Sequence, residues 1–401
     1  MKTDRIHIYL ITLLSAALVI AAAFAGHFLL RDTDTGKVLK VGFVYVGDTI
    51  TGYTNNFVHA QEAVEKQFDG QVETITKFNV AESLGDGALQ ELVDAGCELI
   101  FTTSFGYSES AKKFAEKYPQ IQFCQATGVN ANEEPVLHNY HTFMGEIYQG
   151  RYIAGVVAGM KLQELIENGE ITPEQAKIGY VGAYPYAEVI SGYTAFFLGV
   201  RSVTPSAVMT VKYTDSWENY LLEKKCAQEL IREGCVIISQ HSDTSGPAVA
   251  CEETDRSQVV YYVSYNESMS DVAPTTYLTG SKINWRPYMT GAVQAVLSGR
   301  SIESVVAGTV NGNDLGAGFE EGWVQMLEIN DFTAAEGTRE CVEKLIREFQ
   351  KGKIQVFQGE YTGVNPYDPT DVINLRGGFQ ENETSSAPAF CYILDDVITV
   401  E

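Results

Sequence analysis

A strand-like apolar run breaks off at Thr102-Thr103-Ser104-Phe105-Gly106-Tyr107, inside LIFTTSFGYSE (Leu99–Glu109), and an amphipathic pattern begins directly after it. A hydroxyl, an aromatic ring and a glycine at such a break suit three chemistries: a nucleophile, a phosphate cradle, or one wall of a cup for a flat ligand. Similar runs close on Thr214-Asp215-Ser216-Trp217, His241-Ser242-Asp243 and Tyr265-Asn266-Glu267. The sequence sets no base beside Ser104, and it contains no G-x-S-x-G elbow, H-E-x-x-H pair, G-x-G-x-x-G loop or G-x-x-x-x-G-K-[ST] loop. The seven cysteines are scattered singly, without the clustering of a zinc site or a disulfide framework. They read as small buried hydrophobes, with a pairing of Cys226 and Cys251 left open. The chemistry expected is binding rather than catalysis, with no cofactor and no metal.

These residues need strands to present them. From Lys40 onward, β-branched runs alternate with helical patterns. Strands are expected over Lys40–Val46, Val72–Phe78, Cys97–Thr102, Ile121–Gln125, Lys177–Val181, Val208–Tyr213, Cys235–Gln240 and Val259–Ser264. Helices are expected over Asn56–Phe68, Ser108–Tyr118, Ala187–Ser202 and Trp217–Glu233; in the second of these, Ala111, Phe114, Ala115 and Tyr118 recur at helical spacing before Pro119. Alternation of this kind predicts an α/β fold with parallel sheets covered on both faces. The chain also repeats: ELVDAGCELIFTTSF (Glu91–Phe105) matches ELIREGCVIISQHSD (Glu229–Asp243), and VGFVYVGD (Val41–Asp48) matches IGYVGAYP (Ile178–Pro185). Two Rossmann-like lobes follow, with a hinge cleft walled by strand ends, where open parallel sheets hold their ligands. The repeat sets Ser104-Phe105 opposite Ser242-Asp243.

The net charge is -24, which repels nucleic acid and anionic lipid at long range. Residues 6–30 form an apolar run, and about 20 apolar residues suffice to cross a bilayer. Ala23-Phe24-Ala25 offers a cleavage site, but the run continues past it. Residues 1–37 are therefore expected to be a signal peptide or an N-terminal membrane anchor with a short linker, placing the remainder outside the cytoplasm. The lobes are expected as 38–140 with 275–325, and 141–274 with 326–401. The tail from Gly359 is rich in Gly, Asn, Pro and Thr and suggests no function; Glu381 to Ser386 reads as a polar loop.

Several runs resemble one family. KIGYVGAYPYAEVISGYTAFFLGVRSVTP, YTDSWENYLLEKKCAQELIREGCVIISQHSD, SDVAPTTYLTGSKINW, LIFTTSFGY and GEIYQGRYIAGVVAG occur in the order and spacing of the basic membrane protein (BMP/Med) substrate-binding proteins, over about residues 40 to 330. The resemblance implies a type I periplasmic-binding-protein fold and a receptor that delivers purine nucleosides or nucleobases to an ABC permease and its ATPase. In nucleoside-binding members a lysine follows the strand resembling LTGSKINW, where Ile283 stands here, and a ribose-binding aspartate lies closest to Asn266. Both departures weigh against ribose, and the DSW and NW motifs look like a branch that takes free bases such as adenine. The alternative partner for an anchored receptor is a signalling protein rather than a transporter.

A purine is a flat ring edged with donors and acceptors, so its site needs aromatic faces and a few carboxylates or amides. The strand ends supply Tyr53, Phe105, Tyr184, Tyr186, Trp217 and Trp285 as faces, and Asp48, Asn55, Asp215, Asp243, Asn266 and Glu267 as edge groups, with Ser104 as a hydrogen-bond donor. Each has an ordinary role open to it as well: Phe105 as a plug beneath the next helix, Trp217 as a helix core residue, Trp285 as hinge packing, Asp243 as a helix cap. Simple alternation lets only one of Tyr184 and Tyr186 face the cleft unless Pro185 breaks it.

Overall fold

The computed structural model describes residues 38–401, so the expected signal peptide or anchor lies outside the described residues. Among the described residues, no helix is long and apolar enough to cross a membrane. Five strands come first: β1 (Leu39–Val44), β2 (Val72–Lys77), β3 (Leu99–Thr102), β4 (Gln122–Ala126) and β5 (Tyr140–Gly145). They pair in parallel in the order β5-β4-β3-β1-β2. After a crossover the arrangement recurs with β6 (Lys177–Gly182), β7 (Val208–Tyr213), β8 (Ile237–His241), β9 (Tyr261–Tyr265) and β10 (Tyr277–Ile283), in the order β10-β9-β8-β6-β7. The sequence repeat is thus a repeat of topology: Val41–Asp48 and Ile178–Pro185 build the first strand of each lobe, Glu91–Phe105 and Glu229–Asp243 the helix and third strand.

The chain then returns to each lobe in turn. β11 (Thr309–Asn311) and β12 (Asp314–Ala317) extend the first sheet beside β5, and β13 (Val324–Met326) pairs antiparallel with β10. Strand pairing moves the expected lobe boundaries by one strand each. β5 lies in the first sheet although 141 opened the second lobe, and β10 lies in the second sheet although 275 reopened the first. The short apolar runs looked alike on either side of the hinge, and only their hydrogen-bond partners distinguish them. Helix 286–297, directly after β10, packs on helix 52–67 of the first lobe.

Helices 147–167 and 187–201 cross with their backbones almost in contact. A Cβ on Gly155 would stand 1.9 Å from the Phe196 carbonyl oxygen. Glycine is required there by proximity alone. The seven cysteines are all free thiols.

The tail is more ordered than its composition suggests. β14 (Thr362–Asn365), β15 (Asp368–Asn374) and β16 (Ile393–Leu394) form a small antiparallel sheet, and β17 (Ile398–Val400) adds a parallel edge strand to β7. The supposed polar loop is buried at both ends. Glu381 accepts hydrogen bonds from Ser191 Oγ at 2.8 Å and from the Ala389 and Phe390 amides at 3.0 and 2.9 Å. Ser386 donates through its amide and hydroxyl to Asp314 on β12 in the first lobe, which also accepts from Thr142 Oγ1 at 2.7 Å. One segment thus touches both lobes.

Two predictions follow from this packing. Gly155→Ala should lower stability by about 2 kcal/mol or more, read from urea unfolding, because the backbone opposite cannot yield as a side chain would. Burial raises the Glu381 carboxyl from 4.5 to about 7, and burial with the nearby Glu320 does the same for Glu146 at the start of helix 147–167. The native state then holds protons that the unfolded chain has released, so these groups make stability fall as pH rises from 4.5 to 7, with no further loss above. Glu381→Gln should flatten that fall; urea midpoints with the same pH slope in both proteins would contradict it.

Candidate ligand-binding site

In both lobes strand order reverses around the first strand, which opens a crevice between β1 and β3 and another between β6 and β8. The loops leaving these strands meet around a cavity of about 280 Å³. The first lobe contributes Val46, Gly47, Thr51, Tyr53, Thr54, Glu82, Phe105 and Thr127; the second contributes Glu188, Ser216, Trp217, Glu218, Asp243 and Tyr265. Tyr53, Phe105, Trp217 and Asp243 of the expected residues therefore share one wall-to-wall space.

The projecting residue of each lobe is held in the same way. Glu82 Oε1 accepts from Ser104 Oγ at 2.5 Å and from the Gly106 amide at 2.9 Å, gripping the turn on both sides of Phe105. A side chain at Gly106 would strike that carboxylate, since its Cβ would lie 2.3 Å from Glu82 Cδ. In the second lobe Glu223 Oε2 accepts from Ser242 Oγ at 2.7 Å and the Thr244 amide at 3.1 Å, on both sides of Asp243. Gln125 and Gln240 each donate to the adjoining carbonyl, of Ser104 and Ser242 respectively, at 2.8 Å. The Asp243 amide donates to the Trp217 carbonyl at 2.9 Å, which joins the aromatic wall to the acidic one.

Phe105, 58% exposed, is not a core plug. Trp217 precedes its helix, which begins at Tyr220 with Asn219 as the cap, and so it is free to face the cavity. Tyr53 is the second residue of helix 52–67, which begins four residues before the expected start, and it donates to the Thr103 carbonyl at 2.5 Å. Tyr184 and Tyr186 stack on each other at 5.0 Å with Pro185 between, and Tyr184 packs edge-on to Trp217, so both lie on the rim rather than in the cavity. Ser104 is spent on Glu82. Asn55 reaches Glu267 Oε1 at 3.3 Å and its neighbour Asn56 reaches the Asn266 carbonyl at 2.9 Å; these bonds tie the lobes together. Asn266 is buried beside Asp243 in a left-handed conformation (φ 64°). Trp285 is a correction: only 1% exposed, it stacks on Phe57 at 4.3 Å and edge-on to Phe143, in the core and not in the cleft.

Sequence reasoning missed Glu82, Glu188 and Glu218 as lining residues. Glu82 and Glu188 carry no local signal: Glu82 lies between strand and helix in NVAESLGDG, and Glu188 is a lone acid in the first turn of an otherwise apolar helix, the usual place for a carboxylate at a helix N-terminus. Burial, reinforced by Glu223, Glu188 and Glu218, pushes the Asp243 carboxyl well above its usual range. Burial, with Glu188 and Asp243 facing it, likewise keeps the Tyr53 phenol neutral. His241 lies behind the wall, 3.8 Å from Glu188, and burial lowers its pKa, so it brings no charge. The compensating cation is deeper. Arg151, fully buried on helix 147–167, donates to the Ser264 carbonyl at 2.9 Å, Tyr180 Oη at 3.0 Å and Ser239 Oγ at 2.7 Å, and lies 5.5 Å from the ring centre of Tyr265. No group of three or more His, Cys, Asp or Glu able to hold a metal occurs among the described residues.

Two α/β lobes thus enclose a cleft at their switch points. The family model described as "ABC transporter substrate-binding protein PnrA-like" matches residues 39–356. The chain belongs to this Bmp family. Among its relatives is a purine-binding protein of Brucella abortus, 29% identical over 343 residues, spanning 85% of this chain and 89% of the relative. A protein of Haloferax volcanii named "Putative ABC transporter glucose-binding protein" is 30% identical over 73% of this chain and 67% of its own length. The solved ABC transporter solute-binding protein of Conexibacter woesei superposes with a TM-score of 0.61 at 15% identity, over 79% of this chain and 98% of its own, which establishes the type I binding-protein fold. Bmp proteins bind substrates rather than transform them and work outside the cytoplasm, delivering small molecules to a permease and ATPase.

Arg151 is the test of how this Bmp cleft is supported. Arg151→Met leaves the Tyr180 and Ser239 hydroxyls short of a buried partner, and should cost on the order of 3 kcal/mol in thermal or urea unfolding.

Proposed function

We propose that the cleft binds a purine-type ligand, a nucleobase in preference to a nucleoside, and that lobe closure over it presents the complex to an ABC permease. The observation that carries this reading is the lining: Phe105, Trp217, Tyr53 and Tyr265 offer ring faces, and Glu82, Glu188, Glu218 and Asp243 offer edge acceptors, with no Lys, Arg or His among the lining residues. A phosphorylated ligand meets only like charge there, so nucleotides are excluded. Asn266 and Ile283 stand where the resembling nucleoside receptors carry aspartate and lysine, which supports the free base. The purine-binding relative in Brucella abortus favours the same class.

Isothermal titration of the protein with adenine, guanine, hypoxanthine, xanthine, their nucleosides and glucose tests the proposal. Micromolar or tighter binding of at least one base, and weaker binding of its nucleoside, is expected. Heat from glucose alone, or from none of these compounds, overturns it. Stacking is worth on the order of 1–3 kcal/mol per base, so Phe105→Ala should weaken base binding about 10- to 100-fold while leaving the unfolding midpoint unchanged. Undiminished affinity would place the stacking face elsewhere.

A further inference from the structure

We infer that Tyr367, in the tail, is a positioning residue for the ligand cleft: it holds the aromatic rim at 184–186, and through that rim Trp217, in place. The role rests on the cleft being the ligand site, whichever ligand fills it.

The tail touches one helix of the second lobe near both of its ends. Helix 187–201 spans roughly 22 Å at 1.5 Å per residue. At its C-terminal end Arg201 Nε donates to Tyr361 Oη at 2.9 Å, with the guanidinium 5.5 Å from the centre of the same ring. On its second turn Ser191 donates to Glu381. Just before its N-terminal end Tyr367 Oη donates to the Pro185 carbonyl at 2.6 Å, and among the described residues this is the only side-chain hydrogen bond to the backbone of 184–186. Tyr367 sits at the tip of the β14–β15 hairpin, and that tip is itself braced. The Tyr367 amide donates to Asn365 Oδ1 at 3.0 Å, Asn365 Nδ2 donates to Asp371 at 3.0 Å, and Tyr392 Oη donates to the same carboxylate at 3.1 Å. A tyrosine that is 65% exposed buries too little apolar surface to be fixed by packing, so its hydroxyl makes the specific contact.

What Tyr367 holds leads directly to the cavity wall. Tyr186 caps helix 187–201, its carbonyl accepting from the Val189 and Ile190 amides at 3.0 Å, and Glu188 of the cavity lining follows two residues later. Tyr186 stacks on Tyr184 at 5.0 Å and 15°, and Tyr184 meets Trp217 edge-on at 5.9 Å and 62°. Trp217 lies in the loop that leaves β7 after Tyr213, outside any strand ladder, where Asp215 takes the left-handed conformation (φ 51°). The phenols of Tyr193 and Tyr213, 3.4 Å apart, lie within electrostatic reach of Tyr367 as well. The rim is thus a chain of ring contacts, tied to the hairpin at its outer end and forming a face of the cavity at its inner end. The hairpin lies beyond residue 356, where the match to the family model stops. Freed from it, the rim would have to be ordered when ligand arrives, and that cost would move from folding to binding.

Tyr367→Phe removes the hydroxyl and nothing else. Trp285 and Trp323, the other two tryptophans, are 1% and 0% exposed, so acrylamide quenching of intrinsic fluorescence reads Trp217. In the ligand-free protein Tyr367→Phe should raise the quenching constant. It should also weaken adenine binding about 2- to 10-fold, the factor one hydrogen bond carries, with the urea midpoint unchanged. Tyr361→Phe, which removes the tail hydroxyl at the far end of the same helix, should leave quenching and affinity as they are. Unchanged quenching in Tyr367→Phe overturns the inference, and so does an equal rise in Tyr361→Phe, which would mark a general loosening of the tail. Raised quenching with full adenine affinity overturns the part given to Tyr367 in binding, and the inference with it. No heat from any purine with the unaltered protein overturns the purine reading, while the quenching comparison, which needs no ligand, still decides the role of Tyr367.

Discussion

The cleft depends on one interaction used twice: a carboxylate that accepts hydrogen bonds from both sides of a single projecting residue. A loop leaving a parallel strand has no ladder to fix it, and ordering a few such residues costs on the order of 1–2 kcal/mol each in backbone entropy. Glu82 meets that cost around Phe105, and Glu223 around Asp243, each through a hydroxyl and an amide at matching positions of the repeat. The same clasp orients an aromatic ring in one lobe and a carboxyl in the other. Duplication conserved the frame and left the tip free to differ.

Charge is the second constraint. Glu82, Glu188 and Glu218 set a negative field in the cavity, and burial beside such neighbours holds the Asp243 carboxyl toward its neutral form. Arg151, directly behind the Tyr265 ring, offsets part of that field without entering the cavity, and its hydrogen bonds join helix 147–167 to β6, β8 and β9. A guanidinium suits the place because its flat, weakly hydrated face lies against Tyr180, Phe196 and Tyr265 while its edge donates.

Much of this was legible in the sequence. Alternating strand and helix patterns gave the fold class, the repeat paired Phe105 with Asp243, and strand-end reasoning brought Tyr53 and Trp217 to the same cavity. The losses have physical causes. Trp285 follows a strand end like the others, but its ring is captured by Phe57, a contact between segments more than two hundred residues apart. Glu82 in its short connecting segment and Glu188 in the first turn of a buried helix are single acids with no local pattern around them, and only the meeting of two lobes gives them a shared interior. Asn55 has the right chemistry for a base edge, yet it is already occupied by Glu267. Local patterns specify what a residue can do; the partners that consume that capacity are long-range.

The tail makes the hinge a tied joint. Residues that read as a polar loop reach Asp314 in one lobe and Ser191 in the other, and β17 covers the edge of the second sheet. The family match ends at residue 356, ahead of all these contacts. A protein trimmed there for expression would keep every residue of the cleft and still lose the cover over β7. It would then present a bare row of backbone donors and acceptors to the next molecule, the usual beginning of edge-to-edge aggregation.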